Sequence, residues 1–304
     1  MHIADIFERD KKTFSFEFFP PRSETAWGKL FDLISEFEAL VPSFVSVTYG
    51  AGGTTRQNTH DLVVRLLNET RLDPIPHLTC VGHDASEIDQ ILDRYATAGV
   101  SNVMALRGDT PVESGESEPS QDAFAHAIDL VKHIVAFNQR GSHPHPRGFG
   151  IGVAGFPEGH PETPNCLVHM DHLKAKVEAG ADYVCSQMFF DNRAFYDWCE
   201  RCALADISVP LVAGIMPITS LAGMQRMAEL AGGTTFPAAL QKRILRCQDD
   251  PEAVARVGIH WATEQCRDLT DNSVDGIHFY TLNRSDATRT IYQTLGAKDS
   301  ASLR

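Results

Sequence analysis

Long apolar runs are absent from this sequence. No stretch of its 304 residues approaches the roughly 20 apolar residues that cross a bilayer as a helix, although 43% of the residues are hydrophobic. The first twelve residues, MHIADIFERDKK, also lack the apolar core of a secretion signal. We therefore expect a cytoplasmic protein without a membrane partner.

Basic residues are in deficit. Lys and Arg number 27 against 40 Asp and Glu, which gives a formal net charge of -13. Such a charge opposes binding to nucleic acid and to anionic membranes, so we expect neither as a partner. A local basic pocket for a phosphate is compatible with this balance.

The seven cysteines are odd in number and have no framework spacing, so reduced thiols are expected. Cys199 and Cys202 form a CxxC, but Phe195, Trp198 and Cys202 have helical spacing. This favours two partly buried helical thiols over redox chemistry. The histidines of residues 141–147 have no third ligand nearby, so we interpret them as solvated loop residues and expect no metal site.

Eight short apolar runs alternate with segments of helical spacing, and most runs end in a polar or ionisable residue. They cover residues 13–20, 44–50, 74–80, 102–109, 148–157, 183–190, 210–217 and 276–283. This alternation predicts an α/β fold, a (β/α)8 TIM barrel, as a single domain of residues 1–304 with an extension (1–12) and a tail (297–304). Residues 218–275, between the last two runs, predict two or three helices, one beginning near Pro251. Active-site groups of such a barrel lie where the strands end.

Capping residues and glycines in the sequence also predict where two of the helices begin and end. Asp84 precedes Glu87 by three residues, which is a capping-box pattern, and Gly99 suits the exit of the same helix. Ser285 is expected to cap the last helix, with Gly296 just past its end.

Glu17 lies in the first run, within FSFEFFPP. In a strand, Ser15 and Glu17 share one face, whereas Phe14, Phe16 and Phe18 share the other. The face with Glu17 should be the barrel interior, because the opposite face packs on helices. A carboxylate among phenylalanines is poorly solvated, which favours its neutral form and suits a general acid. The alternative is a structural pair with a buried Arg or Lys.

Arg107, Gly108 and Asp109 close the fourth run. Gly permits close approach of a ligand, Arg can hold a phosphate, and Asp can accept hydrogen bonds from a heterocycle. A surface Arg–Asp pair beside a turn is an equal alternative.

Other polar residues follow later runs. The Gln187 amide can donate to and accept from a planar substrate, or bond within the barrel. Lys174 and Lys176 fit a solvated helix face, although one could reach a diphosphate. Arg284 suits an anionic tail or the end of a neighbouring helix. His160, in the turn FPEGHPE, is a candidate ligand contact.

Residues 150–155 (GIGVAG) match the dinucleotide pattern GxGxxG. The match lies within a strand run, and Phe-Pro follows where a helix should begin. We therefore reject it as a dinucleotide fingerprint.

Nine motifs occur in order over roughly residues 13–296: FSFEFFPPR, FVSVTYGAGG, PHLTC, ALRGD, FPEGHPE, LKAKVEAGAD, QMFFD, GIMPI and HFYTLNR. Together they resemble the methylenetetrahydrofolate reductase family. The resemblance implies an FAD-containing barrel that reduces 5,10-methylenetetrahydrofolate to 5-methyltetrahydrofolate with NADH or NADPH by a ping-pong cycle. The product would feed methionine synthesis.

The resemblance also implies roles for individual residues. Glu17 matches the general acid that opens the folate ring to an iminium, and Asp109 matches a carboxylate near flavin and pterin. Gln187 and Arg284 match folate contacts, and Thr48 matches a residue near the nicotinamide. The implied cofactor-binding positions are Thr48, Tyr49, Ala51, His77, Arg107, Gly108, Asp109, Ala127, Phe156, His160, His169, His172 and Lys176.

Three of these positions depart from the pattern of bacterial relatives. Phe156 replaces a Tyr, His169 replaces an Asp that would contact the FAD ribose, and His172 replaces an Asn. Asp171 is a neighbouring substitute for the lost carboxylate.

Two other readings stay open: a related flavin barrel with another substrate, and a non-catalytic folate- or flavin-binding subunit. We expect a possible homo-oligomer, either a dimer or a tetramer. Because the chain ends soon after the last expected helix, we also expect no inhibition by S-adenosylmethionine.

Overall fold

The computed structural model describes residues 1–21, 23–49, 56–108 and 124–304. Eight parallel strands form one closed barrel in chain order, with β8 pairing to β1. The strands are β1 (Thr13–Phe18), β2 (Phe44–Val47), β3 (Pro74–Thr79), β4 (Asn102–Leu106), β5 (Gly150–Gly155), β6 (Tyr183–Ser186), β7 (Leu211–Ile215) and β8 (Gly276–Tyr280). The TIM-barrel prediction is confirmed.

The helices surround the barrel. Those in the described residues are α1 (Ile3–Arg9), α2 (Glu24–Glu38), α3 (Arg56–Glu69), α4 (Ala85–Ala98), α5 (Ala127–Gln139), α6 (Cys166–Glu178), α7 (Asn192–Leu204), α8 (Leu221–Leu230), α9 (Ala238–Leu245), α10 (Pro251–Asp271) and α11 (Asp286–Thr294). Three of them lie between β7 and β8, and α10 begins at Pro251 as predicted. Nowhere in the described ranges does a helix combine the length and apolar character of a membrane span.

The alternation in β1 separates the barrel interior from the helix layer. Phe16 packs outward on Phe37 of α2, with ring centroids 4.7 Å apart. Ser15 and Glu17 point inward, where the Ser15 hydroxyl lies 2.7 Å from Nδ1 of His278 on β8. The strand thus presents its carboxylate to the interior, as its period of two predicts.

Residues 1–12, predicted only as an extension, contain a helix that packs on the barrel. Ile3 and Ile6 of α1 are fully buried in a cluster that includes Phe44 of β2 and Tyr183 of β6. Helix α1 has only seven residues. A helix this short depends on tertiary packing rather than on intrinsic propensity.

The prediction of solvated histidines in residues 141–147 is wrong for His143. Its side chain is buried, and Nε2 donates to the carbonyl of Val100 at 2.8 Å. Its neighbour His145 stacks on His2, with ring centroids 5.0 Å apart. Local sequence could not predict this, because the contacts join the loop before β5 to distant residues.

Three of the four predicted helix ends are confirmed, including Gly296, which lies just past the end of α11 with φ 73°. Asp84 and Glu87 form the capping box of α4, and Gly99 ends that helix with φ 86°. Ser285 does occupy the N-cap position of α11, but its side chain makes no capping bond. Its hydroxyl instead donates to Oε2 of Glu36 at 2.5 Å and ties α11 to α2.

The GxGxxG match lies within β5, as expected for a false match. A Cβ on Gly155 would lie 2.5 Å from the ring of Trp198, so this glycine lets α7 approach the sheet. Cys199 and Cys202 lie on α7, and burial raises the pKa of both thiols to about 12. They are therefore protonated near neutral pH, which disfavours redox chemistry.

Candidate active site

A cleft of about 900 Å³ opens at the carboxyl ends of the strands. Eleven of the predicted site residues line it: Tyr49, His77, Arg107, Gly108, Ala127, Phe156, His160, His169, His172, Lys176 and Gln187. The fold therefore brings these side chains together from the ends of several strands and from α5 and α6.

The other predicted residues do not line the cleft or cannot be placed. Thr48 lies beside it at the end of β2, where its carbonyl accepts a hydrogen bond from Thr59 at 3.0 Å. Arg284 is exposed after β8 and is not part of the cleft wall. Asp109 and Ala51 lie outside the described residues.

Glu17 lies beneath the cleft. Its side chain is 6% exposed, and Oε2 lies 3.6 Å from Nε2 of His77, which lines the cleft. Burial lowers the pKa of His77, although Glu17 opposes this shift. The imidazole is therefore mostly neutral near pH 7 and does not compensate a charge on Glu17. This buried carboxyl therefore faces a neutral imidazole rather than a permanent cation.

Two interior residues next to Glu17 are not bases. Burial raises the pKa of Cys185 to about 12, and it raises that of Tyr280 well above its ordinary value. The Tyr280 hydroxyl donates to the carbonyl of Ser186 at 2.7 Å. Both groups therefore remain protonated near neutral pH, so neither acts as a base.

A buried histidine on β8, His278, was not among the residues predicted from the sequence. His278 lies with Nδ1 2.7 Å from the Ser15 hydroxyl and Nε2 3.3 Å from the Ser46 hydroxyl. The alternation in Gly276–Tyr280 places His278 and Tyr280 on one face of the strand. The same period-two argument that placed Glu17 inside the barrel would therefore have predicted that His278 and Tyr280 share a face of β8.

Gly108 and Arg107 form the wall after β4. Gly108 has φ 90°, and a Cβ there would lie 2.8 Å from Cβ of Thr79. Only glycine therefore fits without displacement, and the backbone stays accessible to a ligand. Arg107 makes two hydrogen bonds to Glu162, at 2.5 and 2.8 Å. This pairing joins the β4 end to the turn after β5.

Lys176 and two histidines lie at one end of the cleft. Lys176 Nζ donates to the carbonyl of Ala154 at 2.7 Å, and burial lowers its pKa to about 8. Phe156 contacts His160, with centroids 4.6 Å apart, and burial also lowers the pKa of His160. Burial lowers the pKa of His169 to about 4, and Nδ1 has no hydrogen-bond partner among the described residues. This end therefore combines a lysine cation with neutral imidazoles.

The side-chain amide of Gln187 can present its nitrogen, Nε2, to a ligand in the cleft. Its backbone N–H donates to Gly155 at 2.7 Å, and Oε1 accepts the N–H of Met188 at 2.9 Å. The amide oxygen is thereby fixed, and Nε2 is the group left to donate to a ligand.

Among the described residues, no group of three or more His, Cys, Asp or Glu side chains could hold a metal ion. The cleft offers a buried acid, an amide donor, cations and an exposed backbone turn. Such a set can bind a polar, anionic organic ligand and transfer a proton to it.

A closed parallel barrel with a ligand-sized cleft at the carboxyl ends of its strands defines a TIM-barrel protein of the enzyme type. A family model described as methylenetetrahydrofolate reductase matches residues 2–296. The chain belongs to the methylenetetrahydrofolate reductase family, and the resemblance inferred from its motifs is confirmed.

Individual relatives agree with this assignment. The chain is 34% identical to the 5,10-methylenetetrahydrofolate reductase of Escherichia coli (strain K12), covering 93% of this chain and 90% of that protein. It is 36% identical to methylenetetrahydrofolate reductase (NADH) 1 of Arabidopsis thaliana, covering 99% and 51%. It is 37% identical to methylenetetrahydrofolate reductase 2 of Saccharomyces cerevisiae, covering 94% and 47%. The chain thus spans about half the length of the plant and yeast relatives.

A solved structure shares the fold at low sequence identity. It is an uncharacterised protein from Clostridium thermocellum that binds two copies of 5-methyl-5,6,7,8-tetrahydrofolic acid. It aligns with a TM-score of 0.63 and 12% identity, covering 97% of this chain and 99% of that one. At this identity the likeness shows the fold alone.

Proposed function

We propose that this protein reduces 5,10-methylenetetrahydrofolate to 5-methyltetrahydrofolate with NADH or NADPH, using bound FAD, and that it feeds methionine synthesis. The observation that carries the proposal is the buried carboxyl of Glu17 beneath a cleft of about 900 Å³. Family membership and the names of its relatives support the reaction. We further propose that residues 1–304 act as one catalytic domain.

The cleft suits FAD. Its volume lies near the upper end of the range for cofactor sites, about 300–1,000 Å³. The turn at Gly108 admits a ligand close to the backbone, and Lys176 offers a cation to a diphosphate. Nδ1 of His169 has no hydrogen-bond partner within the described part of the chain. When bound, FAD supplies the two-electron redox chemistry that side chains lack.

Glu17 and Gln187 have complementary roles in this proposal. Glu17 holds a proton on a carboxyl oxygen in a site with little water and passes it to a ring nitrogen of the folate. Gln187 Nε2 donates a hydrogen bond to the pterin, because its Oε1 is already engaged by Met188. The side chains thus orient and protonate the folate.

The proposal is tested with purified protein and two nicotinamides. FAD-loaded protein should be yellow, and anaerobic NADH or NADPH should bleach it, with the faster donor in stopped flow identifying the physiological one. Glu17→Gln should still be bleached by the nicotinamide but fail to be reoxidised by 5,10-methylenetetrahydrofolate, because an amide N–H is too weakly acidic to protonate the folate.

A matched control is Glu200→Gln on the exposed face of α7, which should behave as the wild type. Normal folate turnover by Glu17→Gln would show that the role of Glu17 is wrong. Bleaching of the wild type without reoxidation by the folate would point to a flavin barrel with another substrate. Light scattering tests the predicted dimer or tetramer.

A further inference from the structure

Two side chains that follow β8 are bonded to the main chain around Glu17. The Thr281 hydroxyl donates to the carbonyl of Glu17 at 2.5 Å. The Asn283 amide makes two bonds to one residue: Oδ1 accepts the N–H of Phe19 at 2.8 Å, and Nδ2 donates to the carbonyl of Phe19 at 2.9 Å. We call the Thr281 hydroxyl and the Asn283 amide the β8 clamp. It lies at the carboxyl end of β1, beside the proposed acid.

The β8 clamp continues the contact between β1 and β8 beyond the strands. The paired residues of the two strands end at Glu17 and Tyr280. On the other side of β1, the main chain of β2 continues the pairing, because the N–H of Thr48 donates to the carbonyl of Phe18 at 3.0 Å. On the β8 side, the Thr281 hydroxyl meets the carbonyl of Glu17. Glu17 and Thr281 are each 6% exposed, so a bond lost here is not readily replaced by water.

The turn that carries the Asn283 amide has an unusual backbone. Leu282 and Asn283 both have positive φ, at 51° and 54°. Asparagine adopts this left-handed region more readily than most residues, whereas leucine does so rarely. Thr281 braces the turn, since its Oγ1 accepts the N–H of Asn283 at 3.2 Å and its carbonyl accepts that of Arg284 at 3.0 Å. Strained backbone of this kind persists where the surrounding structure compensates for it, often at functional sites.

We infer that Thr281 and Asn283 are positioning residues for Glu17: the β8 clamp fixes the main chain that carries the carboxyl and so holds the carboxyl at one place beneath the cleft. Neither side chain lines the cleft. The inference rests on the proposed function, in which Glu17 protonates the folate. Proton transfer requires hydrogen-bond geometry, and a displacement of about 1 Å can cost such a step on the order of 100-fold.

The test separates the two half-reactions of FAD-loaded protein in stopped flow. Thr281→Val removes the hydroxyl and keeps the shape, whereas Asn283→Gly removes the amide and suits the positive φ. Each should lower the limiting rate of reoxidation by 5,10-methylenetetrahydrofolate about tenfold. Bleaching by the nicotinamide should be unchanged, because the proposed role of Glu17 belongs to the folate step. Thr281→Ser restores the donor and should stay within about twofold of the wild type.

Hydrogen exchange provides a measurement that does not depend on activity. Phe19 is 37% exposed, so protection of its amide is expected to come from the bond to Asn283 Oδ1. Asn283→Gly should speed exchange of this amide about tenfold, as followed by mass spectrometry. A matched control is Asn138, whose amide bonds the N–H and carbonyl of Phe149 at 2.8 and 2.9 Å, before β5 at the opposite end of the barrel. Asn138→Ala should leave both half-reactions unchanged.

Equal slowing of both half-reactions by the clamp variants would overturn the inference, because it would show general damage to the barrel. A raised half-saturating folate concentration at an unchanged limiting rate would overturn it as well, since the effect would then lie in ligand binding, for example through Arg284. Faster exchange at Phe19 with normal folate reoxidation would show that Glu17 does not need the clamp. Wild-type protein that is bleached but not reoxidised by the folate would instead contradict the proposed function.

Discussion

Lys176 and Lys174 lie two positions apart on α6 and have different surroundings. Lys176 lines the cleft with Nζ bonded to a carbonyl, whereas Lys174 lies 3.8 Å from Glu178 and 3.6 Å from Asp206 at the surface. The sequence could not decide which of the two reaches a ligand. The choice depends on which face of α6 meets β5, and that is a tertiary property.

The lowered pKa of Lys176, about 8, predicts pH-dependent FAD binding. An anionic ligand prefers the protonated lysine. Affinity should therefore be constant below about pH 7 and fall as the pH rises through 8. Lys176→Met should bind FAD about tenfold more weakly at pH 7 and lack this step. The measurement is FAD affinity by fluorescence from pH 6 to 9.5.

Lys174→Met is the control for this prediction. Because its ammonium group pairs with surface carboxylates, the variant should keep both the affinity and the pH step of the wild type. A pH step that persists in Lys176→Met would show that another group is responsible.

Glu17 illustrates what the sequence does predict at this scale. Period-two alternation within one short strand assigned its face, and no distant residue was needed. Its neighbour His77, 3.6 Å away on β3, lies 60 positions along the chain. The same limit hid the pairing of Arg107 with Glu162, because ion pairs across the cleft leave no local periodicity.

At the scale of elements, the eight strands were predictable because each is a short buried run between amphipathic helices. The carboxyl ends were predicted too long: the first run covers 13–20, whereas β1 is Thr13–Phe18. The residues past the strands are mixed in polarity: Phe19 follows β1 and is exposed, whereas Arg107 follows β4 and Gln187 follows β6. The ends of the runs therefore mark the rim of the cleft rather than the end of strand pairing.

Gly108 gives a prediction for the junction of β3 and β4. Gly108→Ala adds strain at φ 90° and a contact of 2.8 Å with Thr79. Gly99→Ala has a similar φ of 86° but no atom within 4 Å of the new Cβ. Urea unfolding should show a loss of about 1 kcal/mol for Gly99→Ala, from strain alone. Gly108→Ala should lose about 1–3 kcal/mol more, from overpacking.

FAD retention separates the two glycine variants further. Gly108→Ala should bind FAD more weakly, since the turn lines the cleft, and Gly99→Ala should bind it as the wild type does. Equal loss of stability in both variants would show that Thr79 moves aside without cost.

At the scale of the whole molecule, α1 and the loop before β5 close the end of the barrel opposite the cleft. His2 is 4% exposed there and caps α1 by accepting the N–H of Ala4 through Nδ1 at 3.2 Å. Burial, with Arg147 and His145 adding to it, lowers the pKa of His2 to about 4, against the opposing effect of Asp5. The folded protein therefore holds this histidine neutral at a pH where the unfolded chain would bind a proton.

This difference makes the fold sensitive to acid through residues remote from the cleft. Because the unfolded state binds the proton between pH 6.5 and about 4, the stability due to His2 is complete above pH 6.5 and is lost as the pH falls.

His2→Asn keeps a good N-cap and removes the titration. Between pH 7 and pH 5, the free energy of unfolding of the wild type should fall by about 2 kcal/mol more than that of His2→Asn, as measured by urea unfolding at each pH. His260→Asn on the exposed face of α10 should match the wild type. An unchanged acid dependence in His2→Asn would assign the sensitivity to other buried histidines, of which His169 is the first to test.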